Sequence, residues 1–185
     1  MNELIEIVLA EITSCLRLVS SENLAKAGAL IEYAPRIFVS GAGRSGLIMR
    51  TLGTRLTQLG KTVHVVGEST TPSVQSGELL VIGSGSGQTS TLQAIAQKAK
   101  NQGAGILLFT TNPTSPMAAI ADLCVVVPAP SLEGVGEGRV LKSAQPMGTL
   151  FEQSLLILCD LIILWIMQRS GISAAQMRLR HSNLE

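Results

Sequence analysis

Short β-branched runs alternate with helical patterns through the middle of the chain. The runs are RIFVS (36–40), TVHVV (62–66), ELLVIG (78–83), GILLFT (105–110) and LCVVVP (123–128). Between the first two lies a helical pattern from Ser45 to Leu59, closed by Gly60, and between the third and fourth another from Thr89 to Lys100, closed by Gly103. Both glycines stand where a helix C-cap expects one. The alternation predicts βαβ units and a parallel sheet covered on both faces, an α/β fold. The connection GESTTPSVQSG (67–77) is short for a full crossover helix and is the least defined of the set. An amphipathic segment precedes the first run, to about Tyr33. After the fifth comes one long loop-like stretch, PAPSLEGVGEGRVLKSAQPMG (128–148), of a length that in compact domains is usually functional or mobile. The final helix follows, GTLFEQSLLILCDLIILW (148–165).

For five parallel strands the expected order is 2-1-3-4-5, in which the first and third strands are neighbours with diverging outgoing loops, and ligands bind at that switch point. The first strand empties into SGAGRSG (40–46) and the third into GSGSGQTS (83–90), so two loops of glycine and hydroxyl residues face one crevice. Gly41, Gly43 and Gly46 have the G-x-G-x-x-G spacing of dinucleotide folds, and Glu68 stands almost where such a fold places its ribose-binding acid. The second loop argues for a different ligand. Ser84, Ser86 and Thr89, with Gly85 and Gly87 between, form a hydroxyl-lined turn at a helix N-terminus, which binds phosphate through hydroxyls, backbone N–H groups and the helix dipole. No Lys follows the glycines as a P-loop requires, so a single phosphomonoester fits better.

Composition narrows the classes. The 185 residues, 46% hydrophobic, suit one domain, and at this size folding buries roughly 68–70% of the unfolded surface. With 14 basic against 13 acidic side chains and no basic stripe, nucleic acid is not an expected partner. Cys15, Cys124 and Cys159 lie far apart in apolar runs and read as reduced core residues. The N-terminus MNELIEIVLAEI is acidic and amphipathic, unlike a secretory leader, so the chain is expected in the cytoplasm. The stretch Leu155–Met167 is too short to cross a bilayer and carries Asp160; a helix apolar all round is expected to be buried on every side, with Trp165 hinting at another subunit. No membrane contact is expected.

SGAGRSG, VGESTTP, GSGSGQTS and the C-terminal RHSNLE together resemble the sugar isomerase (SIS) domain, and within it the 6-phospho-3-hexuloisomerases. The pattern S-x-S-G-x-T at Ser84, Ser86, Gly87 and Thr89 is the more specific part of the likeness, which covers nearly the whole chain. It implies a three-layer α-β-α sandwich with a five-stranded parallel sheet, tetrameric assembly, and a substrate phosphate seated on Ser84, Gly85, Ser86, Gly87, Gln88 and Thr89. Gln88 stands where many SIS proteins carry Glu. Gly43 and its neighbours let the backbone approach the sugar phosphate, Ser45 joins the hydroxyls, and Arg44 can reach the crevice. On this likeness residues 1–185 form a single SIS domain, with an N-terminal helical segment to about 33 and a C-terminal helix and tail from about 148 to 185.

A ketose isomerase removes a proton from the carbon beside a carbonyl and returns it to the neighbouring carbon through an enediol, so one positioned base is the minimum. Glu152 stands near the start of the last helix. Apolar walls would lift the pKa of a carboxylate there and the helix dipole would lower it. As a bare residue Glu152 is equally a first-turn acid favoured by the dipole; the resemblance implies the proton acceptor. His181 lies in the polar tail MRLRHSNLE, which reads either as free or as folded over a neighbouring subunit's crevice to shuttle a proton, the role the resemblance implies. His64 alternates with valines inside a strand and reads as structural, while Glu68, Thr70 and Thr71 line the crevice rim or simply make a turn.

No metal or cofactor is expected. The ester of a 3-hexulose 6-phosphate blocks the oxygen that would close a five-membered ring onto C3, so that substrate is already open-chain. The expected activity is interconversion of D-arabino-3-hexulose 6-phosphate and D-fructose 6-phosphate, the second step of formaldehyde fixation in the ribulose monophosphate pathway, by a homotetramer with composite sites. The alternatives are another sugar-phosphate isomerase, such as an arabinose 5-phosphate isomerase, and a non-catalytic sugar-phosphate-binding protein. A nicotinamide dehydrogenase is disfavoured because a second domain for its substrate is lacking.

Overall fold

A computed structural model describes residues 1–130 and 141–184. Residues 131–140, within the loop-like stretch before the last long helix, and Glu185 lie outside the described residues. Five strands form one all-parallel sheet: β1 (Ile37–Gly41), β2 (Val63–Val65), β3 (Leu79–Gly83), β4 (Gly105–Thr110) and β5 (Leu123–Val126), in the order β2-β1-β3-β4-β5. Each expected strand is present in the expected order. TVHVV shortens to Val63–Val65 because this edge strand pairs only with β1, at Ile37↔Val63, Phe38↔His64 and Val39↔Val65.

The sheet's period of two divides the core. Ile37, Val39, Leu79, Val81, Leu107 and Phe109 point to one face, where α2 (Ser21–Tyr33), α3 (Gly43–Gln58) and α6 (Thr149–Ser170) pack with α1 (Asn2–Leu18) outside them. Phe38, Leu80, Ile82, Ile106 and Leu108 point to the other, covered by α4 (Ser90–Asn101) and α5 (Pro116–Ile120). This is a three-layer α-β-α sandwich. The connection from β2 to β3 carries no helix; Val66 and Val74 from it pack on the second core cluster instead.

Four features depart from the sequence reading. The N-terminal segment is two helices, broken at Val19–Ser20, where the Ser20 hydroxyl caps α2 by accepting from the Asn23 N–H at 3.2 Å. The short helix α5 begins at Pro116 with Ser115 as its cap. The last long helix is followed by another, α7 (Ala174–Arg178), with a capping box from Ser173 and Gln176. Met177 is buried in the core and Arg180 donates to the Gln58 carbonyl at 3.3 Å, so the tail to residue 180 is docked on its own subunit.

The fourth departure concerns α6, which runs for 22 residues, a length and apolarity sufficient to cross a bilayer, with half of its apolar window buried inside the fold. It is not buried on every side by this chain. One face (Leu155, Leu158, Cys159, Ile162, Ile166) is core, while Leu156, Leu161 and Leu164 are 38%, 44% and 49% exposed. Trp165 lies against Gly28 of α2, with the Arg169 guanidinium 4.7 Å from its ring centroid.

Candidate active site

Three helices begin at the same end of the sheet. Helix α3 starts after β1, α4 after β3, and α6 after residue 148, and their cap residues Ala42, Thr89 and Gly148 make no side-chain capping bond. First-turn N–H groups with no cap to satisfy them are donors for an anion. Between the three helix starts lies a crevice of about 360 Å³.

The glycine loop has a steric reason. A Cβ on Gly46 would lie 2.6 Å from the Gly41 carbonyl oxygen, and one on Gly41 would lie 2.9 Å from the Gly46 nitrogen. The first turn of α3 therefore runs directly against the end of β1, which brings Gly43, Arg44 and Ser45 to the crevice wall. From β3, Ser84, Gly85, Ser86 and Thr89 form the floor and second wall. Ser84 is buried, and the Ser86 hydroxyl accepts from the Gln88 N–H at 3.2 Å. Gly87 is buried beneath the loop, whereas the side chain of Gln88 is exposed and its carbonyl accepts from the Gln93 amide at 2.8 Å; neither residue lines the crevice.

A layer of buried polar residues beneath this loop escaped the sequence reading. The hydroxyls of Thr110 and Thr111 each donate to the Gly85 carbonyl at 2.9 Å, and the Thr111 N–H donates to it at 3.0 Å. Gly87 has φ +66°, and a Cβ there would sit 2.1 Å from the Ser115 Oγ. Thr110, Thr111, Asn112 and Ser115 are all buried. The stretch TTNPTSP (110–116) reads as turn chemistry, and the one cue to more is that it follows a wholly apolar strand.

From α6, Gly148, Phe151 and Glu152 close the crevice. The Glu152 side chain is 16% exposed and accepts from the Arg44 Nε at 2.5 Å, while Arg44 is 67% exposed. A half-buried carboxylate thus faces the hydroxyl loop across the crevice, held by a guanidinium from the glycine loop.

His181 is not brought to this crevice within the protomer: it lines a separate cavity of about 430 Å³ with Arg55, Gln58 and Met177, and its Nδ1 lies 2.9 Å from the Ser182 carbonyl. His64 stacks at 5.4 Å on Phe38 in the neighbouring strand. Glu68 pairs with Arg50 at 2.6 Å, and the Thr71 hydroxyl donates to the Val65 carbonyl at 2.6 Å, so that turn is held by its own contacts. Another hollow, of about 640 Å³, opens at the opposite end of the sheet below Leu30, Leu79 and Leu123. Its acids are engaged, Glu78 with Arg36 and Asp122 with Lys100, so its walls offer alkyl surface and no unengaged carboxylate.

The chain is similar to known proteins over nearly its whole length. The family model described as SIS domain matches residues 30–157. A 3-hexulose-6-phosphate isomerase of Mycobacterium gastri is 39% identical over 181 residues, covering 98% of this chain and 89% of that protein. One from Bacillus subtilis strain 168 is 38% identical over 185 residues, covering 100% and 98%. The crystal structure of a Methanococcus jannaschii protein, inferred to be a 3-hexulose-6-phosphate isomerase, superposes with a TM-score of 0.85 at 35% identity, covering 99% of both chains. From the crevice at the β1–β3 switch point to these full-length likenesses, the chain belongs to the SIS domain family.

Proposed function

We propose that the protein is a 3-hexulose-6-phosphate isomerase, interconverting D-arabino-3-hexulose 6-phosphate and D-fructose 6-phosphate through an enediol. The observation that carries the reading is the placement of one half-buried carboxylate, Glu152, across a crevice from the hydroxyl loop of Ser84, Ser86 and Thr89. The relatives bearing that activity in their names match the chain over nearly its whole length.

In this reading the phosphate sits on the hydroxyl loop and on the N-terminal turns of α3 and α4, with Gly43, Ser45 and Gly85 allowing close approach. The Glu152 carboxylate takes the C2 proton of the 3-ketose, the C2–H electron pair becomes the C2–C3 double bond, and the C3 carbonyl oxygen gains a proton. The enediol then collapses in the other sense: the C2 hydroxyl gives up its proton, the C2 carbonyl forms, and C3 takes a proton from the Glu152 carboxylic acid. Arg44 places positive charge beside the oxygens that become electron-rich. His181 from a neighbouring subunit moves the proton between the two oxygens. Gly87 and Gln88 act through the loop's shape rather than by contact. The enzyme works in the cytoplasm as a homotetramer, residues 1–185 forming a single SIS domain, in the formaldehyde-fixing ribulose monophosphate route.

The test is incubation with 3-hexulose 6-phosphate and detection of fructose 6-phosphate, with arabinose 5-phosphate in parallel. Formation of fructose 6-phosphate alone supports the reading; turnover of arabinose 5-phosphate alone overturns it.

A further inference from the structure

Helix α6 must start at the right place for Glu152 to face the crevice, and the segment just before that start is bonded to a residue of another helix. Glu11 on α1 accepts from the Ser143 hydroxyl at 2.6 Å, the Ala144 N–H at 2.7 Å and the Gln145 side-chain amide at 3.0 Å. Three consecutive residues are gathered on one half-buried carboxylate. The Ser143 hydroxyl in turn accepts from the Gln145 N–H at 3.0 Å. Immediately beyond, the Thr149 hydroxyl donates to the Pro146 carbonyl at 2.6 Å, and Met147 adopts φ +56°. A non-glycine residue holds that conformation only when its surroundings over-determine it. Met147 is 71% exposed, so the constraint comes from the chain on either side and not from packing of its side chain. The next residue, Gly148, caps α6 and lines the crevice, and its carbonyl accepts from the Glu152 N–H at 3.0 Å.

We propose that Glu11 is a positioning residue for Glu152: its carboxylate clamps residues 143–145 and thereby fixes the left-handed turn at Met147 and the first turn of α6. Helices α1 and α6 also pack against one another, so the clamp ties the start of α6 to a helix it already touches. The Ser143 hydroxyl, with help from Ala144 and Gln145, holds the Glu11 carboxyl below the usual carboxylate range, as expected for an ionised acceptor of several donors. Glu11 does not line the crevice.

The inference rests on Glu152 being the base, and the test separates the two. Turnover of 3-hexulose 6-phosphate is measured for the wild type, Glu11→Ala, Glu11→Gln, Glu152→Gln and the Glu11→Ala/Glu152→Gln double variant, with amide hydrogen exchange over residues 143–152 of each. In Glu11→Ala, kcat is expected to fall on the order of 10- to 100-fold, the effect of a small misplacement of a catalytic group. KM stays near the wild-type value because the hydroxyl loop is untouched, and the amides from Gly148 to Glu152 exchange faster. Glu11→Gln, which keeps an acceptor oxygen, restores part of the rate. The double variant is no slower than Glu152→Gln alone, since a residue acting through Glu152 has nothing left to position. A wild-type kcat and wild-type exchange in Glu11→Ala overturn the inference, as does a double variant in which the two losses multiply. Full turnover by Glu152→Gln sinks the base assignment instead, and amide exchange then still decides whether Glu11 holds the turn.

Discussion

The Nε of Arg44 lies 2.5 Å from the Oε2 of Glu152, joining the first turn of α3 to the first turn of α6 across 108 positions of sequence. Both side chains line the crevice. Glu152→Gln keeps the length and the hydrogen bond but removes the proposed proton acceptor. Turnover is expected to fall by about 10²–10⁴-fold, the usual loss for a general base, with substrate affinity little changed. Exchange of the substrate C2 proton with deuterated water is the measurement, and unchanged exchange rules Glu152 out.

Arg44→Gln separates charge from shape. Because Arg44 is mostly exposed, its ion pair contributes only about 0–1 kcal/mol to stability, so the melting temperature is expected to move little. The rate is expected to fall more than the stability, since the positive charge beside the enediol oxygens is lost. Raising ionic strength should weaken the wild type more than the variant. Equal salt dependence of kcat/KM in the two proteins contradicts a role for the Arg44 charge.

The hydroxyl loop and its buttress should divide affinity from catalysis. Ser84→Ala is expected to raise KM with a smaller effect on kcat, whereas Thr110→Val removes one of three bonds to the Gly85 carbonyl and also the acceptor of the buried Asn112 N–H, at a cost of about 1–3 kcal/mol of stability. Gly87→Ala should be worse than either, because the added methyl meets Ser115 and the backbone is left-handed there. Fructose 6-phosphate protection against thermal unfolding is the readout. Protection undiminished in Gly87→Ala would show that the phosphate sits elsewhere.

Strand order and the two crevice loops were legible because each rests on a local pattern: apolar runs for the strands, and glycine with hydroxyl residues at helix starts. What escaped was set by contacts distant in sequence. Arg44 stands in the glycine loop and Glu152 at a helix start, but no periodicity pairs them. The Thr110–Ser115 layer looks like any turn until Gly85 and Gly87 are seen to rest on it. Helix α5 is only five residues long, too short for a repeat of 3.6 to show. On α6 the apolar residues run round the helix, so the pattern had no power to tell the core face from Leu156, Leu161 and Leu164.

The thiols make a prediction at alkaline pH. Burial pushes Cys15, Cys124 and Cys159 up, Cys159 furthest, with Asp160 adding to it. Above roughly pH 8.5, where a free thiol ionises, the unfolded chain gives up protons that the folded chain keeps. The unfolded state then binds fewer protons, so stability falls as pH rises through that range. The denaturant midpoint is expected to drop between pH 8 and pH 10, less steeply in Cys159→Ala. A midpoint independent of pH over that interval, with native thiols alkylated as fast as unfolded ones, contradicts the burial argument.

The exposed face of α6 makes the last prediction. Leu161 and Leu164 stand out on the same helix whose other side is core, and α1 exposes Leu4, Ile5 and Leu9. Exposed apolar side chains in such number mark a surface that a partner covers, and a second copy of the chain is the cover the proposed tetramer supplies. Replacing Leu161 and Leu164 together by Lys is expected to leave the sheet folded, since neither side chain is in the core, while lowering the particle mass in light scattering toward that of one chain. Activity should fall with it if His181 serves a neighbour's crevice, because the protomer alone keeps His181 in a separate cavity. Subunit mixing tests the same point without breaking the assembly. Glu152→Gln and His181→Ala are each expected to be slow alone, yet random co-assembly pairs an intact Glu152 with an intact His181 in about a quarter of composite sites. Activity recovered on mixing therefore requires the two residues to come from different subunits. No recovery, in tetramers proven to be mixed, would mean that the two residues do not meet across a subunit boundary, and full activity of His181→Ala alone would put His181 outside the reaction.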